Sequence, residues 1–132
     1  RSQLKRLDEN NAIRKQNLRL FLNNLDSCKY FTNFEVSGSC NYALTLVLKE
    51  PDNELCQKVR KILTGKGVEF RRGTAGGGNQ LRQPYLKSVI SEEDITLYPN
   101  VDHIHFYGFY IGNYPGLESE KILKLCETLN RL

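Results

Sequence analysis

The stretch best equipped for chemistry is residues 71–85, R-R-G-T-A-G-G-G-N-Q-L-R-Q-P-Y. A basic pair closes a strand-like run, four glycines follow, and Asn79, Gln80, Arg82 and Gln83 come before the stop at Pro84. Glycine reaches positive φ and lets backbone N–H groups approach a ligand closely. Arginine adds a planar fork of donors matched to phosphate or carboxylate. Such a loop suits an anion or a sugar, and the same composition also suits a mobile surface connection.

Other reactive side chains are sparser. His103 and His105 stand two apart, so a helix sends them to different faces, while a strand would offer only Asp102 as a third metal ligand. A hydrogen-bonded structural role is the better reading for both. Phe109 and Ile111 read as core by strand alternation, whereas Asn113 and Tyr114, in the turn before Pro115, are candidates for ligand contact. No phosphate loop of the G-x-x-x-x-G-K-[ST] type occurs, and Gly73 to Gly78 does not fit G-x-G-x-x-G. Cys28, Cys40, Cys56 and Cys126 show neither C-x-x-C nor zinc-type spacing, which suits reduced thiols in an intracellular protein.

The elements that must position these groups follow from periodicity. Leu4, Leu7, Leu18, Phe21, Leu22 and Leu25 recur at helical steps and predict a long leading helix over 1–27. Strands are predicted over 30–36 and 42–48, joined as a hairpin by S-G-S-C-N, with further strands at 68–71 and 109–112. Asp52 is placed to cap a helix over 52–64, ended by Gly65 and Gly67. Residues 88–96 read as acidic and irregular, Asn100 as the cap of a short helix through His105, and 118–131 as a closing helix. The fold class predicted is α+β: a small antiparallel or mixed sheet with the helices at 52–64 and 118–131 on one face. Leu46, Val59, Ile62, Ile111, Ile122 and Leu125 should be buried between them.

Composition bounds the function. The 132 residues are one domain's worth of chain, with 26% charged and 39% hydrophobic residues, as in a soluble globular domain. No apolar run approaches the ~20 residues of a membrane-spanning helix. The net charge of +4 argues only weakly for polyanions. A basic patch of Lys58, Arg60, Lys61, Lys66, Arg71, Arg72 and Arg82 would serve a nucleic-acid-binding module, but no RRM or KH signature accompanies it. The chain lacks Met and opens in R-S-Q-L-K-R-L, so it reads as a piece of something longer.

Taken together, V-E-F-R-R-G-T-A-G-G-G-N-Q-L-R-Q-P-Y and P-N-V-D-H-I-H-F-Y-G-F-Y-I-G-N-Y-P resemble two segments of the DegT/StrS-type sugar-nucleotide enzymes. These are pyridoxal-phosphate enzymes of fold type I, and the likeness is to their C-terminal small domain. The branch most resembled is the 3-dehydratases of GDP-4-keto-6-deoxymannose and CDP-4-keto-6-deoxyglucose, where V-x-F-R, G-N, R-Q-P and P-x-A-D-x-x-H-x-x-G-F-Y-I-G-N occur in this order. The opening Q-L-K-R-L-D-E-N-N-A-I-R-K-Q-N is similar to that family's long connecting helix.

The resemblance implies residues 1–27 as a connecting helix to a large domain absent from this chain, and 28–132 as the small domain. It implies pyridoxal phosphate or pyridoxamine phosphate in the parent enzyme, held mainly by the large domain. It also implies a homodimer, a nucleotide-sugar substrate and a cytoplasmic setting for deoxysugar and lipopolysaccharide biosynthesis. By position, Arg71, Gly78, Asn79, Arg82 and Gln83 fall in a loop that closes over the substrate. With Asn113 they form the expected substrate-binding set. Many aminotransferase relatives carry a His in this loop, and none lies between Arg71 and Tyr85, which favours dehydration over transamination. No catalytic residue and no metal ligand is implied here, and the fragment alone is expected to be inactive. Without its ligand the loop is expected to lie exposed and loose, and Arg82→Ala to leave stability almost unchanged.

Overall fold

Three strands form one antiparallel sheet: β1 (Ala43–Val47), β2 (Phe70–Arg71) and β3 (Gly108–Gly112), in the order β1-β3-β2. The computed structural model describes residues 4–132. Alternation decides which side of the sheet is dry. Leu44 faces Ile111 and Leu46 faces Phe109 across the β1–β3 ladder, and all four are buried. Thr45 and Tyr110, one residue out of step, point to the other side, where Arg71 is paired with Tyr110.

Three helices cover the dry face: α1 (Leu7–Asn24), α2 (Asn53–Gly65) and α5 (Ser119–Asn130). Their buried residues join Leu44, Leu46, Phe109 and Ile111 in one core, so helices and sheet form two layers. In α2 the stripe is Cys56, Val59 and Leu63, and in α5 it is Ile122, Cys126 and Leu129. Ile62 and Leu125, expected inside, are only half-buried. The inner faces run through the two cysteines, which occupy apolar sites as small hydrophobes. Burial pushes the Cys126 thiol up to about 11, so it stays protonated.

The leading helix is split in character. Leu18, Phe21, Leu22 and Leu25 are buried, whereas Leu4 and Leu7 are exposed. Residues 1–3 of the expected connecting helix lie outside the described residues. Asn130 ties the helix ends together, its amide donating to the Asn24 carbonyl (2.8 Å) while its Oδ1 accepts from the Asp26 N–H (2.8 Å).

Residues 30–36 do not form the expected strand. Tyr30 makes a single bridge to Leu48, and the Phe31 N–H donates to Val47 O at 2.8 Å. Beyond that point Phe31 and Phe34 pack edge to face at 5.0 Å. Residues three apart on one side cannot keep a two-residue period, so the ladder ends there. S-G-S-C-N is therefore a turn with no partner strand before it, and β1 pairs instead with the distant β3.

Two shorter corrections bear on the site. Residues 92–96 are helical (α3, Glu92–Thr96) because Ser91 and Asp94 cap each other's backbone N–H groups. The helix α4 (Pro99–Tyr107) starts on Pro99, which has no N–H to leave unpaired, so Asn100 is inside it and not its cap. Gly108 ends α4 and opens β3 without a linker. A Cβ there would meet the Ile104 carbonyl oxygen at 2.5 Å.

Candidate functional site

The loop after β2 is built as three 3-10 turns, Gly73–Ala75, Gln80–Arg82 and Pro84–Leu86, laid against α4. Its centre is Asn79, 2% exposed. The Asn79 side-chain oxygen accepts from the Leu81 N–H (3.0 Å) and so caps the second turn. Its Nδ2 donates to Asp102 Oδ1 (3.3 Å), and its backbone N–H donates to His105 Nδ1 (3.0 Å).

Arg82 completes the arrangement. Its guanidinium grips Asp102 with both Nε and Nη2, the latter 2.8 Å from Oδ2, and lies over the Phe106 ring at 4.9 Å. The Arg82 fork, helped by the Asn79 amide, holds the Asp102 carboxyl below the usual carboxylate range. His105 is held below the usual histidine value by burial first and by Arg82 next, with Asp102 opposing. Arg72 donates to the Phe106 carbonyl and stacks over Phe109 at 4.9 Å, fixing the other end of α4. The loop is clasped to the helix by polar contacts.

Gly78 is required by that clasp. A Cβ on it would meet Gly73 O at 2.5 Å and His105 Nδ1 at 2.6 Å. Its missing side chain therefore admits the His105 ring, whereas the sequence suggested room for a ligand. Asn79 is likewise fully engaged inside the protein. Gln83 is half-buried and makes one long contact, Nε2 to Thr74 O at 3.4 Å.

Asn113 belongs to a different network, on the far side of β3. It is 3% exposed, donates to Arg14 O (2.8 Å) and Asn41 O (2.7 Å), and accepts from Asn17 Nδ2 (3.1 Å). Both polar atoms of its amide are engaged inside the protein. It pins α1 to the end of β3.

Arg71 alone of the set is exposed, on the open face of the sheet beside Tyr110. Tyr42 packs edge to face on Tyr110 at 5.1 Å, and a cleft of about 770 Å³ runs past Tyr42, Glu69, Phe70, Arg71 and Tyr110. The basic patch that suggested nucleic acid is broken up: Lys58 pairs with Glu54, Arg72 with the Phe106 carbonyl and Arg82 with Asp102.

Sequence reasoning passed over Asp102 and His105 as functional partners of the loop. The signal was their spacing, three apart on a helix and hence on one face, with His103 turned away to bond Leu48 O at 2.7 Å. Among the described residues no three His, Cys, Asp or Glu side chains gather as a metal site, and no helix is long and apolar enough to cross a membrane.

This architecture is that of the C-terminal domain of the pyridoxal-phosphate-dependent 3-dehydratases. The crystal structure of GDP-4-keto-6-deoxymannose-3-dehydratase with a trapped PLP-glutamate geminal diamine superposes with a TM-score of 0.74 and 21% identity over 97% of this chain. The E. coli GDP-4-keto-6-deoxy-D-mannose-3-dehydratase with bound hydrated PLP gives 0.73 and 21%. In sequence, the chain is 30% identical over 125 residues to the lipopolysaccharide biosynthesis protein RfbH of Salmonella typhimurium strain LT2, covering 92% of this chain. No protein-family model matches. The chain spans 28% of RfbH and 33% of each dehydratase chain. The family resemblance drawn from the two motifs is thus borne out in both fold and sequence.

Every lysine described is exposed or half-buried, and none lies in an enclosed pocket.

Proposed function

We propose that this chain is the small domain of an enzyme that removes the C3 hydroxyl from a nucleotide-linked 4-keto-6-deoxysugar, in the cytoplasmic supply of deoxysugars for lipopolysaccharide. Residues 1–27 would lead from a large domain, and 28–132 would form the small one. The large domain would carry pyridoxal or pyridoxamine phosphate, whose amine form supplies the chemistry that expels the hydroxyl. A homodimer would place the small domain's loop at the substrate.

The observation that carries this reading is the joining of the two shared motifs. The R-Q-P segment and the D-x-x-H helix meet through Arg82–Asp102 and Asn79–His105, so the likeness covers one built unit. Within it, Arg71 and Gln83 are the side chains we assign to the ligand, Arg71 by its free fork. Gly78, Asn79 and Arg82 act on substrate by shaping the loop, and Asn113 acts by holding α1.

The test uses the complete reading frame that encodes this chain. The purified protein is given pyridoxamine phosphate and, separately, GDP-4-keto-6-deoxymannose and CDP-4-keto-6-deoxyglucose. Mass spectrometry should find a sugar that has lost the 3-hydroxyl. A 4-amino product with glutamate as donor would assign the chain to the aminotransferases of the same family. Absence of both would remove the proposal.

A further inference from the structure

We infer that the loop from Gly73 to Gln83 is latched to α4 by the unprotonated Nδ1 of His105, so that protonating this ring releases the loop. The latch is geometric. Nδ1 accepts the Asn79 backbone N–H at 3.0 Å, which requires the ring to be neutral and its proton to sit on Nε2. The imidazolium has a proton on both nitrogens and cannot accept. The ring also has no room to turn away within the closed form. Its Cε1 and Nε2 come within 3.6 Å of where a Gly73 Cβ would stand, and a Gly78 Cβ would lie 2.6 Å from Nδ1. Two glycines form the cradle, and the ring fills it.

The charges around the ring agree with this. Arg72 approaches from the end of β2, Arg82 from the Gln80–Arg82 turn and Asp102 from α4 itself. Asp102 already spends both oxygens on Arg82 and accepts from Asn79 as well, so it is not free to stabilise a second cation. A new positive charge on His105 would face two guanidiniums while losing the Asn79 N–H. The remaining holds would be the Arg82–Asp102 pair, the Asn79 amide on Asp102 and Arg82 over Phe106.

The sign follows from linkage. The closed form favours neutral His105, so the latch is complete above the open-state value of about 6.5 and weakens as pH falls below it. The opening equilibrium should rise by up to about tenfold per pH unit between the open and closed midpoints. What this does to substrate rests on the reading proposed above, but the latch itself does not.

The experiment is amide exchange and ring titration by NMR on this chain between pH 8 and 4.5. The two histidine rings are resolved, and Leu44 and Ile111 serve as core references. Asn79 exchange, corrected for intrinsic rate, should accelerate by up to about tenfold per pH unit in step with His105 while the core references stay protected. In His105→Gln, whose side-chain oxygen can accept but does not titrate, the step should vanish. In His103→Gln it should remain. A flat Asn79 profile through the His105 titration would overturn the inference, as would opening of the core together with the loop. A step that survives in H105Q would do the same. Should that variant not fold, the wild-type titration decides alone. None of these readouts uses substrate, so they stand apart from the test of the enzyme activity.

Discussion

Two regions of the molecule, the core beneath the sheet and the loop on α4, are held by different forces. On one side Leu44, Leu46, Phe109 and Ile111 meet α1, α2 and α5 in a dry core, where burial does the work. Beyond the strand ends, the glycine loop reaches α4 through one ion pair, two hydrogen bonds of Asn79 and a cation over Phe106. Apolar burial is additive and insensitive to pH, whereas a small polar network fails when one member is lost. The comparison teaches that the loop can open while the core stays shut.

The comparison can be broken most forcefully at the core. Phe21 is 0% exposed and joins α1 to α5. Phe21→Ala should cost about 3–5 kcal/mol in denaturant unfolding. A cost under 1 kcal/mol would mean that α1 is a detachable linker. The buried amide network comes next. Asn113→Ala leaves Arg14 O, Asn41 O and the Asn17 amide without their partner, and about 1–3 kcal/mol of stability should go with it. If kinetics of the complete protein changed while stability did not, Asn113 would be a ligand residue after all.

A smaller effect should come from Asp102→Ala, about 1 kcal/mol for a partly buried two-pronged pair. Because Arg82 lowers the Asp102 value, this contribution is present above about 3.9 and is lost as pH falls through the lowered value. The wild type and the variant should therefore converge in stability at acid pH. Parallel curves down to pH 2 would contradict the assignment. Smallest of all is Lys58→Ala on the exposed side of α2, where the pair with Glu54 is solvated and the melting temperature should not move measurably.

Much of the core was legible from the sequence because a single chemistry wrote it. The spacing of Val59, Leu63 and Ile122 and the alternation around Leu46 and Ile111 each point to one face. Strand 30–36 misread because Phe31 and Phe34 carry β-propensity, yet their rings prefer each other to a ladder. The loop was legible in composition but not in role. Gly78 and Asn79 look like a ligand's approach, and only the partners on α4, about 25 positions along, reveal that they hold a histidine and an aspartate. Arg82 belongs to the same clasp. Its fork is filled by Asp102, so Arg82→Ala should disturb the loop before it touches any substrate.

The division between core and clasp is tested most directly by a double-mutant cycle on Arg82 and Asp102, read by amide exchange. Arg82→Ala and Asp102→Ala should each speed exchange at Asn79 and Leu81, and the double variant should be no worse than the worse single one. Leu44 and Ile111 should keep wild-type protection throughout. Strictly additive losses at the loop, or core amides opening with it, would contradict a loop held by that pair.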